Sequence, residues 1–147
     1  MLSEAERRFV THHRIARLAT ADVHAIPHVV PICFALAQET LYFSIDQKPK
    51  RGPVTALKRL RNIAANPAVA IIIDHYEDDW ARLGWVLLQG SAETLEGGPE
   101  HREAQVLLRG RYPQLNVMQI EHLPVIAVRI EHTTSWGDLS VKGDEAW

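Results

Sequence analysis

LKRLRNIAANPAVAIIID, residues 57–74, places a short basic segment directly before an apolar run. Val54, Leu57, Leu60 and Ala64 recur at helical spacing and predict one apolar helix face. Pro53 suits the first helical turn, where its missing N–H is not needed. Asn66-Pro67 ends the helix, because the residue before a proline is driven out of the helical region. AVAIIID (68–74) is then a β-rich run short enough for a strand buried in a sheet. Lys58 and Arg61 share a flank of the helix, three positions apart, and Arg59 leaves on another side.

The charge around this stretch is uneven. Residues 47–73 hold six cations (Lys48, Lys50, Arg51, Lys58, Arg59, Arg61) and no acid, within a chain of net charge −2. A local cationic window in an otherwise acidic protein points to a discrete anionic ligand. It does not suit a nucleic-acid groove, because no aromatic residue interleaves with the cations.

Working outward, Ser3 and Glu6 have the spacing of a capping box and predict a helix over 3–12. Strands are expected at 14–20, 27–36, 40–46, 68–74, 84–95 and 125–136. Residues 21–26 form a hairpin connection, and the strands at 27–36 and 40–46 are expected to pair across the turn 37–39. Pro31 cannot donate to a ladder and marks an edge, a bulge or an approach point within its strand. Gly90 marks a bulge in the fifth strand. Helices are expected at 99–111 and 114–121, separated by Pro113. Six short strands, mostly joined by hairpin-length turns, favour a mainly β architecture: an antiparallel barrel with helices outside it. The 147 residues fit one domain, 1–147, whose polar end, 140–147, frays.

Several chemistries are excluded or disfavoured. There is no G-x-S-x-G elbow, G-x-G-x-x-G or P-loop. The eight histidines have no metal-binding spacing, so no metal is expected. Cys33 is the single cysteine and reads as a buried thiol in an apolar strand. A lone cysteine and the charged N-terminus MLSEAERRFV, without an apolar leader core, point to the cytoplasm. No run reaches membrane-spanning length, so no membrane partner is expected. Residues 76–80, YEDDW, read as a polar loop in which Trp80 is a lid or a contact to a second copy. Trp85 and Trp136 suit either the core or the wall of a planar ligand site.

The order of parts then carries more than any single motif. A proline-containing strand is followed by Leu41-Tyr42-Phe43-Ser44-Ile45, a basic loop, the helix Lys58-Arg59-Leu60-Arg61-Asn62-Ile63, Asn66-Pro67 and a strand. This resembles the pyridoxamine 5′-phosphate oxidase-like (PPOX class) six-stranded split β-barrel, over about residues 3–139. It is most similar to the subgroup described as dependent on coenzyme F420, a deazaflavin.

That resemblance implies a homodimer with a flavin-type cofactor in a groove at its interface. It assigns Lys58 and Arg59 to the cofactor phosphate, with Arg61 and Asn62 close by. It lays the ring along Val29, Val30, Pro31 and Ile32. Phe43, Ser44 and Ile45 fall near the ribityl chain and phosphate. Trp85 stands where oxidases of the fold carry a glutamine, and Trp136 joins it as a candidate cofactor wall. Lys50 and Arg51, with Lys48, suit a longer polyanionic tail, which favours F420 over FMN. The arginine-rich C-terminal segment of true pyridoxamine phosphate oxidases is not visible in WGDLSVKGDEAW, which argues against vitamin B6 chemistry. The implied function is an oxidoreductase that transfers a hydride between F420 and a small unsaturated substrate. The alternatives are an FMN-binding oxidoreductase of the same fold and a non-catalytic cofactor- or haem-binding protein. No catalytic residue is assigned, although His28 and Tyr42 are candidates to protonate a substrate. Residues 21–26, 75–84 and 113–124 are expected to set the shape of the pocket.

Overall fold

The computed structural model describes residues 1–45 and 57–141. Its elements run α1 (Glu4–His12), β1 (Ala16–Ala21), β2 (Pro27–Ile32), β3 (Ala35–Ala37), β4 (Thr40–Ser44), α2 (Lys58–Ala65), β5 (Ala68–His75), β6 (Gly84–Leu95), α3 (Pro99–Arg111) and β7 (Val125–Gly137). Short 3₁₀ turns lie at Trp80–Arg82 and Pro113–Val117. All seven strands form one antiparallel sheet in the order β2-β1-β5-β6-β7-β4-β3. The expected mainly β barrel with outer helices is therefore present, with seven strands rather than six.

The additional strand comes from a break in the expected strand 27–36. β2 pairs with β1, matching Ala16 with Ile32, whereas β3 pairs with β4, matching Ala35 with Tyr42. The chain thus leaves one edge of the sheet and enters the other edge across Cys33-Phe34. A ladder cannot serve both partners at that crossing. Instead the Tyr112 hydroxyl meets both polar groups of Phe34: it accepts from the N–H at 2.9 Å and lies 3.0 Å from the carbonyl oxygen. The Phe34 side chain is fully buried, while Cys33 is exposed rather than buried as expected.

β1 begins two residues later than expected, leaving Arg14 and Ile15 in the link from α1. β5 buries Val69, Ile71 and Ile73 but leaves Ile72 36% exposed, so the apolar run is covered on one face only. The expected bulge lies at Gly90, where the β6–β7 register shifts between Gln89 and Gly90. A Cβ at Gly90 would fall 2.0 Å from the Arg129 carbonyl oxygen, so the close approach of backbones requires glycine.

Three helices fasten the curled sheet. The capping box of α1 forms as expected, with the Glu6 N–H donating to Ser3 Oγ at 3.1 Å. α2 is held by Asn62, buried to 1% exposure, whose Nδ2 donates to Thr20 Oγ1 of β1 at 3.0 Å. α3 spans the expected 99–111, and Gln105 Nε2 donates to the Ile120 carbonyl at 2.6 Å. Inside the sheet, Leu18, Phe43, Ile71, Leu88 and Ile126 are among the fully buried side chains. None of the helices among the described residues is long and apolar enough to cross a membrane.

Candidate functional site

One cavity of about 980 Å³ lies between β2, β4, the first turn of α2 and the segment that follows α3. Its walls come from six expected site residues (Val30, Pro31, Ile32, Phe43, Ser44 and Arg59) together with Arg14, Ile15, Cys33, Tyr112, Pro113, Gln114, Leu115 and Met118. The β2 break shapes one side, because it turns Cys33 outward beside Ile32. Most of the wall is apolar. Among the described residues it contains two guanidinium groups and no carboxylate.

The remaining expected site residues are placed elsewhere. Lys58 turns away to Asp22, with Nζ 3.6 Å from the carboxylate. That carboxyl is held below its usual range, chiefly by the Ile26 backbone N–H, with His24 N–H and Lys58 adding. Arg61 is exposed on α2, and Asn62 is the buried pin between α2 and β1. Val29 is 62% exposed on the opposite face of β2 from Val30. Ile45 is fully buried in the core. Trp85 and Trp136 are brought together as a cross-strand pair of β6 and β7, but neither lines the cavity. Lys50 and Arg51, like Lys48, lie outside the described residues.

The two candidate proton donors also lie off the cavity wall. The Tyr42 hydroxyl donates to Glu100 at 2.5 Å, and burial with the adjacent carboxylate raises its pKa. His28 lies on β2, half-buried, opposite Thr20. Trp80 is 70% exposed on its 3₁₀ turn. No group of three or more His, Cys, Asp or Glu among the described residues is arranged to hold a metal ion.

The sequence reading did not single out Arg14 and Tyr112. Tyr112 is buried at the C-terminal end of α3. Its hydroxyl, besides meeting Phe34, donates to the Arg14 carbonyl at 2.8 Å. Burial raises the Tyr112 pKa, so the phenol stays protonated through the neutral range. The available signal was Arg111-Tyr112-Pro113: an amphipathic ring and a guanidinium immediately before a helix-ending proline. Of the segments expected to shape the pocket, 113–124 contributes Pro113, Gln114, Leu115 and Met118 to this wall, whereas 21–26 and 75–84 contribute none.

A family model described as pyridoxamine 5′-phosphate oxidase matches residues 2–137. No curated protein matches the sequence. Among solved structures, a conserved hypothetical protein of Mycobacterium tuberculosis aligns with a TM-score of 0.75 at 21% identity, covering 99% of this chain and 96% of that one. A haem storage protein of Vibrio cholerae gives a TM-score of 0.71 at 19% identity, over 93% and 95% of the two chains. A FAD-binding protein of Mesorhizobium loti gives 0.68 at 22% identity, over 91% and 94%. At these identities the likeness is one of fold.

Proposed function

Because this chain belongs to the pyridoxamine 5′-phosphate oxidase family, we propose that its cavity binds a flavin-type cofactor and that the protein is an oxidoreductase. The observation that carries this reading is the meeting of Arg59, Ser44 and the β2 segment Val30–Ile32 in one wall. An arginine can grip a phosphate in a bidentate fork, and Ser44 offers a hydroxyl beside it. Val30, Ile32 and Phe43 offer an apolar slot to a planar ring. The volume, about 980 Å³, is within the range of cofactor and small-ligand sites. A wall whose described residues carry two cations and no carboxylate fits an anionic cofactor.

Coenzyme F420 is the cofactor we favour, on the resemblance to the F420-dependent subgroup and on the cation-rich sequence 48–51. When bound, such a deazaflavin supplies or accepts a hydride. The protein's own part is to bind, orient and exclude water. Arg59 would hold the phosphate, and β2 would fix the plane of the ring. Tyr112 hydrogen bonds hold the β2–β3 crossing in place, so the slot is preorganised before a ligand arrives. Lys58, Arg61 and Asn62 would contribute through field and helix position rather than from the wall. The acceptor would be a small unsaturated organic molecule, and a second copy of the chain would complete the site.

FMN, with one compact phosphate, is the second reading, and Arg59 alone would suffice for it. A haem carrier would have Cys33 and Met118 as the soft donors of this wall.

The test is a pair of fluorescence titrations of purified protein, with F420 and with FMN, on the wild type, Arg59→Ala, Lys58→Ala and Lys58→Ala/Arg59→Ala. A charge-assisted contact contributes about 1.5–3 kcal/mol, so Arg59→Ala should weaken the favoured cofactor by about tenfold to a hundredfold. Lys58→Ala alone should have a smaller effect. Tighter binding of FMN would select the second reading. Binding of neither would sink both.

A further inference from the structure

The end of the cavity away from Arg59 is also cationic, and the phosphate assignment does not use it. Arg14 lies on the wall there, in the link before β1. Its guanidinium donates to the Arg111 carbonyl and stands 5.9 Å from the centre of the Tyr112 ring. The Arg111 guanidinium stands 5.6 Å from that same ring and 4.9 Å from the Phe34 ring. Arg111 spends its hydrogen bonds on the carbonyls of Thr11 and His13. Two positive charges therefore share one aromatic ring.

Neither charge is balanced. Arg7, Arg8, Arg17, Arg82, Arg109 and Arg129 each form an ion pair with an Asp or Glu. Among the described residues, Arg14 and Arg111 have no carboxylate partner, and none of the described residues of the cavity wall is an acid. Like charges held together in a partly buried place raise the local potential and attract an anion. Arg14 is the one of the two that faces the cavity, with donors beyond the one given to Arg111.

The backbone positions that carry Arg14 and Arg59 belong to opposite ends of β1. Asn62 ties α2 to Thr20, near the C-terminal end of β1, whereas Arg14 precedes the N-terminal end. A six-residue strand such as β1 is about 17 Å long. The rest of the wall is mostly apolar, with Val30, Ile32, Leu115 and Met118 among its residues.

We propose that Arg14 is a second anion-recognition position, which takes a carboxylate or another oxyanion on a ligand whose apolar body lies in the middle of the cavity. The anion has two possible sources: the substrate, or the far end of the cofactor. With the cofactor phosphate at Arg59 and its ring along β2, the anion at Arg14 belongs to the substrate, which is then a small unsaturated acid. That last step rests on the cofactor reading above; the anion site itself does not.

The test is calorimetric titration of the full, cofactor-free chain with trans-cinnamate and with its neutral isostere trans-cinnamamide. The acid should bind about tenfold more tightly than the amide, and the preference should shrink as salt rises. Arg14→Gln should abolish the preference, and Arg14→Lys should keep part of it. Arg8→Gln removes the same charge from an exposed helix position and should leave the preference intact. If Arg14→Gln does not fold, the comparison of wild type with Arg14→Lys and the salt series carry the test. Equal affinity for acid and amide, no binding of the acid, or a preference that survives Arg14→Gln would overturn the proposal. Titrating F420 and FMN into the same variants locates the anion. Unchanged cofactor affinity assigns it to the substrate, and a matching tenfold loss assigns it to the cofactor. Failure of both cofactors to bind the wild type would sink the cofactor reading while leaving the acid-against-amide result standing.

Discussion

At the scale of single residues, Tyr112 has the clearest structural duty. Its hydroxyl accepts from the Phe34 N–H at 2.9 Å and has one proton to donate, with the Arg14 carbonyl at 2.8 Å and the Phe34 carbonyl at 3.0 Å both within reach. The two Phe34 groups lie where the chain passes from β2 to β3 without a ladder, and the Arg14 carbonyl lies in the link before β1. Tyr112→Phe keeps the ring and the shape but strands a buried donor, which costs about 1–3 kcal/mol. Urea unfolding should show that loss; a change below about 0.5 kcal/mol would mean that water takes over the hydroxyl's role. The site residues were legible in part, for a related reason. A run of cations announces an anion, but helical geometry distributes Lys58, Arg59 and Arg61 to different directions about α2. Arg59 meets the cavity, Lys58 meets Asp22, and Arg61 meets solvent. Arg14 could not be found by spacing at all. Its neighbour Arg111 is 97 positions away, and only the folded chain brings the α1–β1 link to the end of α3.

At the scale of elements, α3 is joined to the sheet by a polar cluster as well as by its apolar face. Glu100, in its first turn, accepts from the Tyr42 hydroxyl at 2.5 Å and from Arg129 Nη2 at 2.8 Å. These hydrogen bonds, Arg129 foremost, lower the Glu100 pKa to about 2 from a usual 4.5. Its folded pKa is depressed, so its stabilisation is complete above about pH 4.5 and is lost as pH falls toward 2. Glu100→Gln should therefore flatten acid unfolding in that window and cost about 1 kcal/mol at pH 7, a modest value because the pair is partly exposed. An unchanged acid profile would place the stabilising interaction elsewhere. The elements themselves were mostly readable. β6 and α3 match their expected spans, and Gly90 carries its bulge, because turn residues and hydrophobic period agree there. Strand 27–36 was read as one because its apolar run continues without a break. The division at Cys33-Phe34 depends on which neighbour each half meets, and a single strand's sequence does not encode that.

At the scale of the whole molecule, one face of the sheet carries exposed apolar side chains. Val29 pairs with Ala19, and Ala19 with Ala70, so three small or apolar side chains lie in one row. Ile72 and Leu87 continue the next row. Val29 is 62% exposed and Ile72 36%; the opposite face of β5 is buried, and that of β2 is half-buried. Arg17 sits beside Ile72 in that row and pairs with Asp74, so the face combines exposed apolar side chains with an ion pair, a mixture that suits an association surface. The family resemblance implies a second copy of the chain as its occupant, with the cofactor site at the junction. Val29→Glu would place a charge at the β2 edge of that face without touching the core. Sedimentation should show the wild type as a dimer and Val29→Glu as a monomer with an unchanged circular dichroism spectrum. Val106→Glu alters an equally exposed apolar residue on α3, at 67% exposure, and should remain dimeric. Cofactor affinity should fall along with dimerisation in Val29→Glu, because Val29 is absent from the cavity wall and can reach it only through the second copy. A monomeric wild type, or a Val29→Glu variant that still dimerises, would remove this face as the interface. A monomeric variant that binds cofactor as tightly as the wild type would show that each chain carries a complete site.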